Sequence, residues 1–255
     1  MTDMLDSFLA PDAETGTLDL KTELTQMVID AARDAPRSQQ QSLGPSEVGH
    51  PCDRKLAYGI MREPKTLDQP GDPLPSIVGT AAHKWMEGML KAYNDKHGVR
   101  FLVEQPVAPS PAIPGSLDVY DIATKTIIDW KFPSAERVRR YRKDGPGDQY
   151  RKQVHLYGKG MANLGLTPDT VAIMFLPRGG QLAQAYMWSE PYDPDLAQET
   201  LDRFWSVTSM IDQLDCENHP EHYAFFPTAP SSLCDYCPWF HPKPEGPYQC
   251  KGNVK

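Results

Sequence analysis

No apolar run in this sequence approaches the length that crosses a bilayer, and the N-terminus lacks the basic-then-apolar pattern of a signal peptide. The expectation is a cytoplasmic chain with no membrane partner. A second C-x-x-C is also missing, which argues against a zinc ribbon built from two such pairs. There is no internal repeat, and no low-complexity tract longer than a few residues. Net positive charge is absent too: 26 Lys and Arg against 34 Asp and Glu leave a formal charge of −8, unlike most basic nucleic-acid modules.

What is present permits a real core. The 255 residues are 40% apolar and 9% aromatic, enough for one large domain or two small ones. The five cysteines need a reason other than disulfides in a reducing compartment, and metal ligation is the leading one. Charge is distributed unevenly, and screening makes that more informative than the sum. Arg137, Arg139, Arg140, Arg142 and Lys143 crowd one short segment around Tyr141. Such a block reads either as a solvated helix face or as a phosphate-contacting surface, with Tyr141 able to stack on an unpaired base.

The spacing predicts a mobile tail up to residue 16, a helix over 17–34, and a polar linker at 38–41. The stretch 46–60 begins loop-like around Pro51 and then reads as helical, followed by a Pro- and Gly-rich loop over 64–75. A long helix is predicted at 80–96 and stopped by Gly98, then strands near 101–107, 115–121 and 127–131. Residues 134–146 read as helix or loop, 148–164 as helix, 170–176 and 184–189 as strands, and 193–214 as a long helix. The remainder from Cys216 is proline-rich and irregular. This order argues for an α/β fold, a central mixed β-sheet flanked by helices, in one catalytic domain.

The stretch from Gly115 to Lys131 carries the chemistry. Asp118 closes G-S-L-D, and Asp129 and Lys131 form D-W-K on the next strand, both projecting from one face. Hydrolysing a phosphodiester needs an activated water, neutralised phosphate charge and a stabilised leaving oxygen. Carboxylates holding one or two divalent ions supply all three. An exposed hairpin with solvated charges is the competing reading. His83 stands upstream in G-x-x-x-H-x-x-x-E, with Glu87 one turn on as either its carboxylate partner or a solvated residue. Gln153 and Tyr157, four apart in Q-V-H-L-Y, read as orienting a phosphate or holding Lys131, and His155 between them reads as structural.

Cys234 and Cys237 form C-x-x-C, with Cys250 behind and Cys52 far upstream. This one-plus-three pattern suits four thiolates on a [4Fe–4S] unit, while C-x-x-C with two further ligands also suits zinc. Closing so long a loop through a metal centre removes much unfolded-chain entropy. It would tie the N-terminal arm to the irregular C-terminus.

Together these residues resemble the RecB-like branch of the PD-(D/E)xK nuclease superfamily. Within it they look most like the four-cysteine exonucleases typified by the CRISPR-associated RecB-like nuclease and its phage-encoded relatives. The resemblance runs from about residue 46 to Cys250. It rests on Cys52, Arg54, Leu56 and Tyr58, on His83, Asp118, Asp129 with Lys131, Gln153 with Tyr157, and the C-terminal cysteines. It implies a restriction-endonuclease-like core over 46–215, an N-terminal tail and helical arm over 1–45, and a cluster-binding segment over 216–255 packed with the Cys52 region. It implies a metal-dependent exonuclease that trims single-stranded DNA or duplex ends, acting beside recombination, replication or CRISPR-adaptation partners. Carried over, His83, Asp118, Asp129 and the Trp130 carbonyl bind Mg²⁺ or Mn²⁺; Lys131 assists the water; Gln153 and Tyr157 position the phosphate. Cys52, Cys234, Cys237 and Cys250 ligate a structural [4Fe–4S] cluster. Asp129 stands where Glu is frequent, and the gap from Cys237 to Cys250 exceeds the usual one, which sets Cys250 against Cys216. The readings from another class are a catalytically silent DNA-binding adaptor of the same fold, and a zinc-stapled nuclease-like protein.

Overall fold

The computed structural model describes residues 17–35, 43–66, 72–230, 233–234 and 237–253. The predicted tail and the 38–41 linker lie outside them. Two compact units emerge, one of residues 1–41 with 72–77, the other of 42–71 with 78–255. In the first, α1 spans Thr17–Asp34, the bounds expected from its apolar spacing, and Leu20, Leu24 and Met27 are exposed.

The second unit is built on a five-stranded sheet in the order β1-β2-β3-β4-β5. The strands are β1 Phe101–Ser110, β2 Ile113–Asp121, β3 Thr126–Lys131, β4 Thr170–Phe175 and β5 Tyr186–Pro191. β3 and β4 run parallel and every other neighbour pair is antiparallel, so the sheet is mixed as expected. A parallel pair cannot be joined by a tight turn. The β3–β4 connection accordingly carries two helices, α5 Ala135–Asp144 and α6 Asp148–Asn163. Before the sheet come α2 Pro45–Val48, α3 Asp53–Ile60 and α4 Leu74–His97; after it come α7 Pro194–Gln213 and a 3₁₀ helix, Pro220–Phe225.

Two cores hold these layers. Leu117, Ile127, Val171, Ile173 and Phe175 of the sheet pack on Val154, Tyr157 and Met161 of α6. A second core joins α3 and α7 to the C-terminal segment through Leu56, Tyr58, Leu201, Phe204, Tyr223, Phe226 and Trp239. Two glycines set the close approach of α2 to this frame. A Cβ at Gly49 would sit 2.7 Å from the Gln149 carbonyl of α6, and one at Gly115 would meet Pro45 at 2.8 Å.

The long helix starts at Leu74, six residues before the expected position. Pro75 lies in its first turn, where the missing N–H costs nothing because first-turn donors have no intrahelical partner. β1 extends to Ser110 through Pro106 and Pro109, which is permitted because β1 is an edge strand. Among the described residues no helix is long and apolar enough to cross a membrane.

Candidate active site

Strand register aligns the acids. Val103 pairs with Val119 and Gln105 with Leu117, so Glu104 of β1 lies opposite Asp118 of β2. Val119 pairs with Ile128, so the next position places Asp118 opposite Asp129 of β3. Residues directly opposite on neighbouring strands point to the same face, so three carboxylates form a row across β1, β2 and β3. The β2–β3 pairing stops just there. The Trp130 N–H donates to Asp118 Oδ2 at 2.7 Å instead of to a strand carbonyl.

α4 delivers the histidine. The Asn94 side chain accepts from the N–H groups of Arg100 and Phe101 and donates to the Phe101 carbonyl at 2.7 Å, locking the helix end to β1. Gly98 makes the reversal at a φ of +87°, open to glycine without strain. His83 Nδ1 thereby reaches 3.3 Å from Asp118 Oδ1, its ring edge-on to Phe132. Burial alone would lower the His83 pKa, but the hydrogen bond and charge of Asp118, with Asp129 behind, raise it.

Asp129 is buried, and burial pushes its carboxyl up while Lys131 opposes the shift. Lys131 Nζ stands 2.6 Å from Asp129 Oδ2 and 4.9 Å over the Tyr150 ring. Gln153 donates from Nε2 both to Asp129 Oδ1 and to the Tyr157 hydroxyl, each at 3.1 Å. The amide and phenol therefore support Asp129, a connection the sequence did not suggest. Tyr157 is deeply buried, and that burial raises its hydroxyl pKa. Glu87 turns away from His83 to Lys84 and Lys91, at 3.2 and 2.5 Å, which favours the solvated reading of that residue.

Sequence reasoning missed Glu104. It takes a φ of +51°, a costly conformation for a non-glycine residue, while Ser116 donates to its Oε2 at 3.0 Å. Burial raises its carboxyl, with Asp118 adding to the shift. One donor atom each from His83, Glu104 and Asp118 lies within 4.8 Å of the other two. The available signal was an acid inside an otherwise apolar strand ahead of G-S-L-D.

The residues fit a hard divalent cation. Three carboxylates and one imidazole form an oxygen-rich donor set of the kind Mg²⁺ and Mn²⁺ prefer. Gln153 Oε1 is buried beside it without a hydrogen-bond partner, and such orphans are rare unless something else satisfies them, while Asp129 Oδ2 faces Lys131.

α5 begins four residues beyond Lys131, with the Ser134 hydroxyl accepting from the Arg137 N–H at its start. Val138 turns inward, while Arg139 and Arg140 are exposed. Tyr141 does not present a free ring. It stacks on Phe175 at 4.4 Å, so one face expected for a base is already taken. Arg142 donates to the carbonyls of Gln184 and Ala185, both at 3.3 Å.

Cys52, Cys234, Cys237 and Cys250 line one cavity, together with His50, Arg54 and Tyr58. Cys216 does not line it and is buried in the second core. Donors address the sulfurs: Lys55 N–H to Cys52 Sγ at 3.4 Å, Arg54 Nη1 to Cys250 Sγ at 3.4 Å, Gly252 N–H to Cys250 Sγ at 3.3 Å, and the Trp239 N–H to Cys237. Gly252 has a φ of +71°, and a Cβ there would lie 2.9 Å from Cys234 Sγ. Burial pushes the His50 pKa down to about 4, and its neutral Nδ1 accepts the Cys52 N–H. Among the described residues no three thiols come within 4.8 Å of one another. A single tetrahedral zinc, with Zn–S near 2.3 Å, would hold its sulfurs about 3.8 Å apart.

No protein-family model and no curated protein matches the sequence. Among solved structures, the chain is similar to an alkaline exonuclease from Laribacter hongkongensis, with a TM-score of 0.47 and 16% identity over 74% of this chain and 96% of that one. It is also similar to a phage-related exonuclease from Haemophilus somnus 129PT, with a TM-score of 0.43 and 17% identity over 65% and 81%.

Proposed function

We propose that the chain is a metal-dependent deoxyribonuclease that hydrolyses phosphodiester bonds at DNA ends, acting on single strands. The observation that carries this reading is the row of Glu104, Asp118 and Asp129 across three adjacent strands, with His83 and Lys131 converging on it. A non-catalytic DNA-binding protein has no use for three aligned carboxylates, which repel phosphate unless a cation intervenes.

Mg²⁺ or Mn²⁺ held by His83, Glu104, Asp118 and Asp129 would supply Lewis-acid charge neutralisation and a water acidic enough to act as nucleophile. The chain's own residues do the rest. Lys131, beside Asp129, places a positive charge where the attacked phosphate gathers negative charge. Gln153, braced by Tyr157, fixes the Asp129 carboxylate through Oδ1, while Oδ2 faces Lys131. Arg139 and Arg140 on the exposed side of α5 suit contacts to the DNA backbone.

The cysteine cavity is read as the seat of a [4Fe–4S] cluster in a structural role. Four thiols on one cavity and N–H donors aimed at sulfur support this reading. The cluster would join the start of α3 to the C-terminal segment. Iron and labile sulfide in freshly purified, anaerobically handled protein are expected. Equimolar zinc without either would overturn this part alone.

The nuclease reading is tested on end-labelled single-stranded DNA with Mg²⁺ or Mn²⁺. Asp129→Ala and Lys131→Ala are each expected to lower the rate by at least about 10²-fold. Activity surviving both substitutions, or an intact protein inert with Mn²⁺, would sink it.

A further inference from the structure

The 3₁₀ helix Pro220–Phe225 follows α7 after a turn in which Asp215 takes a φ of +48°. At this junction one donor atom from each of His219, Glu221 and His222 lies within 4.8 Å of the other two. The two imidazoles stack with centroids 5.1 Å apart and planes 25° from parallel. His222 Nδ1 is 2.6 Å from the Leu214 carbonyl. A ring nitrogen in that position carries the proton and donates, which in the neutral ring leaves Nε2 with its lone pair available. Ligating imidazoles are commonly fixed in this way, by a backbone carbonyl behind the ring. His219 adds Nδ1 at 3.3 Å from Glu221 Oε1, and its Nε2 is 4.0 Å from Asp215 Oδ2.

We propose that His219, Glu221 and His222 form a second metal site, binding a borderline divalent ion such as Zn²⁺ or Ni²⁺, with Asp215 within reach as a further ligand. The donor set of two imidazoles and a carboxylate favours such ions over Mg²⁺. Tetrahedral ligation at 2.0–2.1 Å would set the donors about 3.3 Å apart, an approach the exposed His219 and Glu221 can make by small rotations toward the fixed, half-buried His222 ring. The site shares no residue with the carboxylate row or the cysteine cavity, so it stands whether or not the nuclease reading does.

Its position gives it a structural consequence. The chain just beyond the site holds Arg54, which donates from Nη2 to the Ala224 and Phe226 carbonyls at 2.6 and 3.2 Å. Tyr223 donates to Glu63 at 2.5 Å. An ion at His219, Glu221 and His222 would stiffen the start of the 3₁₀ helix and, with Asp215 as its further ligand, pin it to the turn that ends α7, and with it the segment that backs Arg54 and the Cys52 region.

The test compares the intact chain with His219→Ala/His222→Ala and with Glu221→Gln, titrating Zn²⁺ or Ni²⁺ in excess Mg²⁺ and following amide hydrogen exchange. The intact chain is expected to take up one equivalent more than the double variant. Ion addition should raise exchange protection over residues 214–226 in the intact chain only. Outer-shell partners alone alter metal affinity roughly 10–100-fold, so loss of the Glu221 ligand should weaken uptake at least tenfold. Glu221→Gln keeps both rings and decides the matter if the double variant fails to fold. Equal stoichiometry and affinity in all folded variants, or uptake without local protection, would overturn the proposal.

Discussion

At the scale of single residues, the Asp129 carboxylate depends on a two-step support, with Gln153 holding Oδ1 and Tyr157 bracing Gln153. Tyr157→Phe keeps the packing and removes one hydrogen-bonding group, so a stability loss of about 1 kcal/mol is expected. Gln153→Leu leaves Asp129 Oδ1 buried without its donor, and steady-state assays should show a rate drop of roughly 10–100-fold. A larger effect from Tyr157→Phe than from Gln153→Leu would invert the proposed order of dependence. Asp121 tests electrostatics away from the site. Arg100 grips it through Nε and Nη2 at 2.9 and 2.8 Å, and this holds its carboxyl down at about 2. An unfolded carboxyl titrates near 3.9, so this ion pair contributes stability above that pH and loses it as pH falls toward 2. Thermal melting across pH 2–5 should show Asp121→Asn less stable than the parent above pH 4, with the two converging near pH 2. Asp118, Asp129 and Lys131 could be brought together from the sequence because strand spacing fixes which face each takes, whereas His83 stands on a helix and was joined to them only by its order in the chain and by the family resemblance. Glu104 was not legible, because its partnership with Asp118 depends on the register of β1 and on a left-handed backbone that no pattern of apolar residues signals.

At the scale of elements, the helices and strands followed from apolar period and turn residues, and failures came where proline was read too strictly. Pro75 in the first turn of α4 and Pro106 and Pro109 in an edge strand break no hydrogen bond that those positions need. The close approach of α2 to α6 had no sequence signal beyond a glycine. Gly49→Ala would force its Cβ to 2.7 Å from a backbone carbonyl, which cannot rotate away. A destabilisation of about 1–3 kcal/mol is expected in denaturant titration, and an unchanged midpoint would show that α2 can lift off α6 cheaply. If the chain acts on DNA as proposed, α5 is the element whose exposed arginines would meet the backbone of a substrate that a net acidic chain otherwise repels. Neutralising Arg139 and Arg140 together should weaken DNA binding and reduce the slope of log affinity against log salt by up to about 1.4 on single strands. An unaltered slope would remove α5 from the interface.

At the scale of the whole molecule, the sheet and the cysteine cavity are completed by different parts of the chain. The last strand ends at Pro191, whereas the cavity needs Cys250, whose Sγ meets an arginine 196 residues earlier in sequence. During synthesis the chain emerges from its N-terminus at about 5–20 residues per second, so Arg54 and Cys52 wait roughly 10–40 s for their C-terminal partners. The sheet has all its strands before the cavity has its last thiol. Any cofactor destined for that cavity therefore meets a chain whose five strands are already available to pair. If the cavity seats an iron–sulfur cluster as proposed, starving cells of iron during expression should yield a chain that retains its sheet while its cysteine-bearing ends fray, rather than one that never folds.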